Sequence, residues 1–429
     1  MRVRWYWWVL AAVPALAGFV SLQLGVGDFR SSGLVLGISV SLGLVAILLL
    51  WRRPWSHRHG VSKWLAPAPG LTLGLVALLG LSEGLPEFLQ ARGLFLDVDS
   101  QGPRAMVGFD GGYVLAGDDA DGGLLWLSDD GASWSRVEHR AFDSVLLRDL
   151  LVVDDGLLAV AEGANPSEAV VLSSADGTHW QVAARFGNSE HGTVPRAISK
   201  SASTLVVIAD IVGNDVEFYQ SADGSSWTVS EPTAVFDDGE SSRDIACSGS
   251  LCIGVGSHDA TYRDEIDANT GVAWVTTTGT SYHPVDHDFD SEELEAIAWT
   301  DPGFIVVGNN PTDKGVAWLS QEGESWARLA GPFNQMTITG ITATSDSYLI
   351  FGHDAETGQL LVWTSKTGDE WSEEIISEEL AEGSQIRTIV ARDGTRIAAG
   401  IASETLDTFI WTSTDNQPWQ HTATIHTSP

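Results

Sequence analysis

Cysteine and lysine are nearly absent from this chain of 429 residues, which has only Cys247 and Cys252 and the four lysines Lys63, Lys200, Lys314 and Lys366. So few cysteines exclude a small disulfide-stapled fold and a cysteine-rich zinc module. Positive charge is short in general: 23 Lys and Arg stand against 57 Asp and Glu, a formal net charge of −34. A surface this acidic repels phosphate backbones, which excludes nucleic acid as a partner. The chain also has no G-x-x-x-x-G-K phosphate loop, no strand-linked G-x-G-x-x-G and no G-x-S-x-G nucleophile elbow. Each of those motifs carries phosphate, dinucleotide or acyl chemistry through its backbone geometry, so no cofactor is expected.

Long apolar runs are confined to the stretch from Met1 to Ala91, and the acidic excess belongs to the chain from Arg92 onward. Residues 1–90 read as a membrane region with three spans, about 5–24, 33–51 and 64–81, each near the ~20 apolar residues that cross a bilayer as helix. The spans carry no ionisable residue at mid-membrane, which argues against a transporter. Arg2 and Arg4 precede the first span, and Arg52, Arg53, Arg58 and Lys63 lie between the second and third. The positive-inside bias puts both groups in the cytoplasm and everything after the third span outside. The first segment also fits a cleaved signal peptide, with Arg2 and Arg4, an apolar run and Ala15-Leu16-Ala17. Cys247 and Cys252 flank a four-residue SGSL turn between two β-rich runs, so a disulfide closing a hairpin in an oxidising compartment is expected.

Beyond a linker over 91–103, a seven-residue motif recurs seven times at spacings of 44 to 55 residues: SDDGASW, SADGTHW, SADGSSW, TTTGTSY, SQEGESW, SKTGDEW and STDNQPW, ending at Trp134, Trp180, Trp227, Tyr282, Trp326, Trp371 and Trp419. The fourth position is Gly in six copies and Asn416 in the seventh, the residue types that best accept positive φ. Two residues before each motif stands a large apolar or aromatic residue: Trp126, Leu172, Tyr219, Trp274, Trp318, Trp363 and Trp411. Ahead of that lies a small, β-branched run such as YVLAG or FIVVGN, preceded by a strand that reads as short. Four strands per repeat of about 45 residues describe a propeller blade. The expected fold is all-β, a seven-bladed β-propeller over 104–429 preceded by three transmembrane α-helices.

The turn motif resembles the Asp box of the sialidase superfamily and related BNR-repeat propellers. The box there reads S-x-D-x-G-x-x-W, one residue longer, and its Asp survives here only as Asp130, Asp176, Asp223 and Asp415. The resemblance implies that these four stabilise turns. The shortened boxes are also similar to those of photosystem assembly-type propellers, which act by binding partners. A sialidase-like glycoside hydrolase would need a tyrosine nucleophile with its acidic partners. The family's F/Y-R-I-P signature is replaced by GPRAM, and Tyr262, in HDATYRDEIDANTG, is the one tyrosine well inside a loop of the ligand face. No catalytic residue is assigned.

Aligning the starts of the innermost strands superposes Arg104, Arg148, Arg196, Arg243, Glu295, Thr339 and Arg387. Five arginines at one position predict a cationic collar at the channel mouth. It would take a carboxylate or phosphate, or each arginine would pair with an acid of a neighbouring blade. Asp286, Asp288 and Asp290 alternate as in a calcium loop, but the Gly and Glu that complete an EF-hand are missing; a solvated acidic linker is the competing account. The expectation is a binding or scaffold module at the cell membrane for a protein partner or an anionic glycan or ligand, with the three helices in contact with membrane lipid.

Overall fold

A computed structural model describes residues 102–426 except 120–121, 164–167, 188–191, 212–214, 233–238, 259–269, 278–279, 290, 292, 313, 378–383, 403–406 and 415–416. The expected membrane spans lie outside the described residues, and among the described residues no helix is long and apolar enough to cross a membrane.

The described strands form seven sheets of consecutive strands, six of them four-stranded and one five-stranded. Blade 1 shows the pattern: Gly102–Phe109 innermost, then Gly112–Asp119, Gly122–Ser128 and the two-residue outer strand Ser135–Arg136, each antiparallel to the last. The other innermost strands are Val145–Val153, Thr193–Lys200, Glu240–Ser248, Glu293–Thr300, Met336–Ala343 and Gln385–Arg392. At eight or nine residues they are not the short strands expected from the sequence. Polar residues such as Arg148 and Asp149 interrupt their hydropathy and disguise their length. Blade 4 departs from the four-strand expectation, because Glu231–Pro232 pairs in parallel with its outer strand Ser281–Pro284.

Sheets with two apolar faces must bury both, and here the core lies between blades. Val114 and Leu125 of blade 1 pack with Leu147, Leu157 and Trp180 of blade 2. Met106, Leu115 and Trp126 of blade 1 pack with Ile397, Ala399 and Ile410 of blade 7, which closes the ring through side-chain packing. Both of these blades are built from contiguous chain.

The recurring motif forms the turn from third to fourth strand. Ser128 Oγ accepts the Gly131 N–H at 2.8 Å, and the Trp134 indole donates to the Gly131 carbonyl at 3.1 Å. Gly131 holds φ at 76°, a conformation that costs a Cβ-bearing residue. The same two bonds recur at Ser174, Gly177 and Trp180, and at Ser365, Gly368 and Trp371. Asp130 adds acceptance of the Ala132 and Ser133 N–H groups at 2.8 and 2.7 Å, and Asp176 and Asp223 act likewise. Asp415 lies outside the described residues. Cys247 and Cys252 face each other across the first hairpin of blade 4 and are joined as a disulfide, Cα–Cα 4.0 Å.

Candidate functional site at the inner-strand bulges

In all seven blades the pairing of innermost and second strands slips by one residue at the same place. The residue left without a cross-strand partner is Arg104, Arg148, Arg196, Arg243, Glu295, Thr339 or Arg387. A bulge bends its strand and re-aims the extra side chain. Opposite the residue just before it stands Gly117, Ala161, Ala209, Gly256, Gly308, Gly352 or Gly400. The bulged backbone presses so close there that a Cβ on Gly256 would lie 1.9 Å from the Ser241 carbonyl oxygen, and one on Gly352 2.0 Å from that of Thr337.

One residue beyond that small position, 14 after the bulge, comes the partner of the collar side chain. Arg104 Nε meets Asp118 at 3.4 Å, Arg148 Nη2 meets Glu162 at 2.5 Å, and Arg196 Nε meets Asp210 at 2.7 Å. For these three the acid is therefore in the same blade, whereas Arg243 takes the neighbouring-blade alternative and donates through Nε to Glu293 of blade 5. At the equivalent place blade 4 has Ser257, so its arginine reaches across the blade boundary. Arg104, Arg196 and Arg243 are each held at Nε. That leaves their terminal nitrogens without an acceptor among the described residues and fixes the guanidinium plane. Arg104 Nη2 and Arg148 Nε are buried without a hydrogen-bond partner among the described residues.

The bulged positions converge electrostatically. Burial lowers the Arg104 pKa, Asp118 opposes the shift, and the positive fields of Arg148 and Arg387 add to it. Glu295 is pushed up to about 7 by burial and then by Glu293, with Arg243 and Arg387 opposing. Arg387 thus acts on residues of both blade 1 and blade 5. Asp118 is pushed up to about 6 by burial, against the pull of Arg104 and Arg148.

Sequence reasoning missed a second set of acids at this end. Asp149 accepts the Ile198 N–H of blade 3 at 2.9 Å and its neighbour's N–H, Leu150, at 2.7 Å. Asp244 does the same to Ile297 of blade 5 and to Ile245. Asp210 accepts the Ser242 N–H of blade 4, and Asn309 the Ile338 N–H of blade 6. The free edge of an innermost strand presents N–H groups with no sheet partner, and these side chains satisfy them. Burial pushes Asp149 up to about 7 and Asp244 to about 6.

Asp286 and Asp288 are exposed, and the segment is pinned by Phe289, buried against Trp318 and Trp326 at ring distances of 5.3 and 5.5 Å. Asp290 and Tyr262 lie outside the described residues. Among the described residues no group of three or more His, Cys, Asp or Glu is arranged to hold a metal ion.

No protein-family model matches the chain, and no curated protein matches its sequence. Solved structures do match. Virginiamycin B lyase from Staphylococcus aureus is similar at 10% identity and TM-score 0.50, over 74% of this chain and 92% of that one. A prolyl endopeptidase is similar at 8% and 0.51, over 81% of this chain and 55% of that one. The structure described as YCF48 bound to D1 peptide is similar at 14% and 0.45, over 65% and 81%. At such identities the likeness is one of fold, and the class of protein is a seven-bladed β-propeller, an architecture that hosts unrelated functions.

Proposed function

We propose that the chain is a membrane-anchored, extracytoplasmic binding or scaffold module whose collar face takes a carboxylate-bearing segment of a partner protein or an anionic glycan. The observation that carries this reading is the bulge shared by all seven innermost strands, with arginine at five of the seven bulged positions. Three of those arginines are gripped by an acid at Nε. An acid at Nε pre-orients the guanidinium, and in the part-exposed Arg196 and Arg243 it leaves the two-nitrogen fork for a planar anion, whereas Arg104 Nη2 is buried. The three apolar runs, the arginines flanking them and the disulfide support anchoring and an oxidising compartment. The Ser-Gly-Trp turns, with Asp where it is kept, support assignment to the BNR or Asp-box type, and their aspartates are structural in this reading.

The test is in-cell crosslinking of the full-length protein, wild type against Arg196→Gln/Arg243→Gln, at matched expression and unchanged melting temperature. A partner that crosslinks to the wild type and disappears in the variant upholds the reading. An unchanged pattern makes the arginines structural and removes it.

A further inference from the structure

The other end of the ring, where first and second strands turn, has a different chemistry. We propose that a cavity between the turns of blades 7, 1 and 2 is a second docking site, taking a partner segment that presents a lysine or arginine beside an apolar residue. The cavity holds about 610 Å³, within the roughly 300–1,000 Å³ usual for binding pockets. Its origin is a matter of register. Val152 stands four residues past the bulged Arg148, and the same register holds Gly108 in blade 1 and Ala391 in blade 7. Of the two blades that flank it, blade 1 has only Gly108 at this place and blade 3 has Lys200, whose ammonium is drawn to Asp154, and Val152 stays 40% exposed on an innermost strand. Phe109 and Val390 complete an apolar floor.

The rim is acidic. Arg392 reaches Asp110 at 3.4 Å and Asp393 at 3.0 Å, and Lys200 reaches Asp154 at 2.8 Å. Asp155 also lines the cavity and has no ion pair among the described residues, so the lining sets the three carboxylates of Asp110, Asp154 and Asp155 against the one cation of Arg392. A long cationic side chain fits this arrangement, its methylene stem on the floor and its head among the carboxylates. The side chains of Asp110 and Asp154 are 110% and 91% exposed. They are open to solvent, so a cationic head can reach them while the segment that bears it stays outside the cavity.

The test uses full-length protein in neutral-lipid nanodiscs and a peptide amide, Ala-Lys-Leu-Lys-Ala, carrying an uncharged fluorophore, read by anisotropy. Saturable binding is expected that the Glu-Leu-Glu counterpart does not show. Ala391→Leu fills the cavity without altering charge and should weaken binding about tenfold, as should Val152→Ser at the floor. Arg196→Gln/Arg243→Gln should leave binding unchanged, which separates this site from the collar. Wild-type affinity in Ala391→Leu and Val152→Ser, both with unchanged melting, would overturn the proposal by showing a general attraction to an acidic surface. So would binding of n-hexylamine without binding of the peptide.

Discussion

At the scale of single residues, the turn motif separates what is required from what is supplementary. Serine, glycine and tryptophan make their bonds in blade 6, where Thr367 replaces the aspartate. Where the aspartate is present it accepts further backbone N–H groups, and those at Ser133 and Ala132 draw the Asp130 pKa down to about 2. Loss of a cap of this kind costs about 1 kcal/mol, so Asp130→Ala should lower the urea midpoint slightly and leave the fold intact. Its depressed pKa makes its contribution present above the ordinary carboxylate range and lost as pH falls towards 2. Gly256 should be far less forgiving. A Cβ there collides with backbone 1.9 Å away, and Gly256→Ala should cost about 1–3 kcal/mol in chemical denaturation, whereas a cost near zero would mean that the bulge yields. The motif and the collar positions were legible in the sequence because side-chain identity repeats at them. The bulge was not, because hydropathy is the same whether or not a residue has a cross-strand partner.

At the scale of elements, the innermost strands combine exposed backbone edges with acids that satisfy them across blade boundaries. These links join residues 49 and 53 apart, Asp149 to Ile198 and Asp244 to Ile297, and no local pattern announces them. Asp149→Ala should strand two N–H groups and destabilise by about 2–4 kcal/mol, read from the urea midpoint. Burial raises the folded-state pKa of Asp149, Asp244, Glu295 and Asp118 to between about 6 and 7. The folded ring therefore holds these protons more tightly than the unfolded chain. Their contribution to stability is full below about pH 4 and lost as pH rises through the folded values. The propeller should melt at least about 2 °C higher at about pH 5.5 than at about pH 8, and the reverse order would mean that these carboxylates are solvated and charged.

At the scale of the whole molecule, the blade count was legible because one turn chemistry recurs seven times, and closure followed from the need to cover an apolar end. The fifth strand of blade 4 was not legible, since Glu231-Pro232 reads as a loop and gains its place only from the edge it meets. Closure through the packing of Ile397, Ala399 and Ile410 on blade 1 carries its own prediction: removing residues 385–429 should abolish cooperative unfolding, leaving a chain that binds hydrophobic dyes. The two ends of the ring differ in sign and in surface, arginines at bulges on one and an apolar floor with an acidic rim on the other. Function in this reading rests on the arginine end meeting an anionic partner outside the cell. The decisive experiment places a photo-crosslinking amino acid at Ser241, next to the collar, in full-length protein in living cells, with and without Arg196→Gln/Arg243→Gln. A discrete crosslinked product is expected, abolished by the two substitutions while folding and abundance hold. No product at Ser241, or one indifferent to the arginines, would contradict a partner-binding collar.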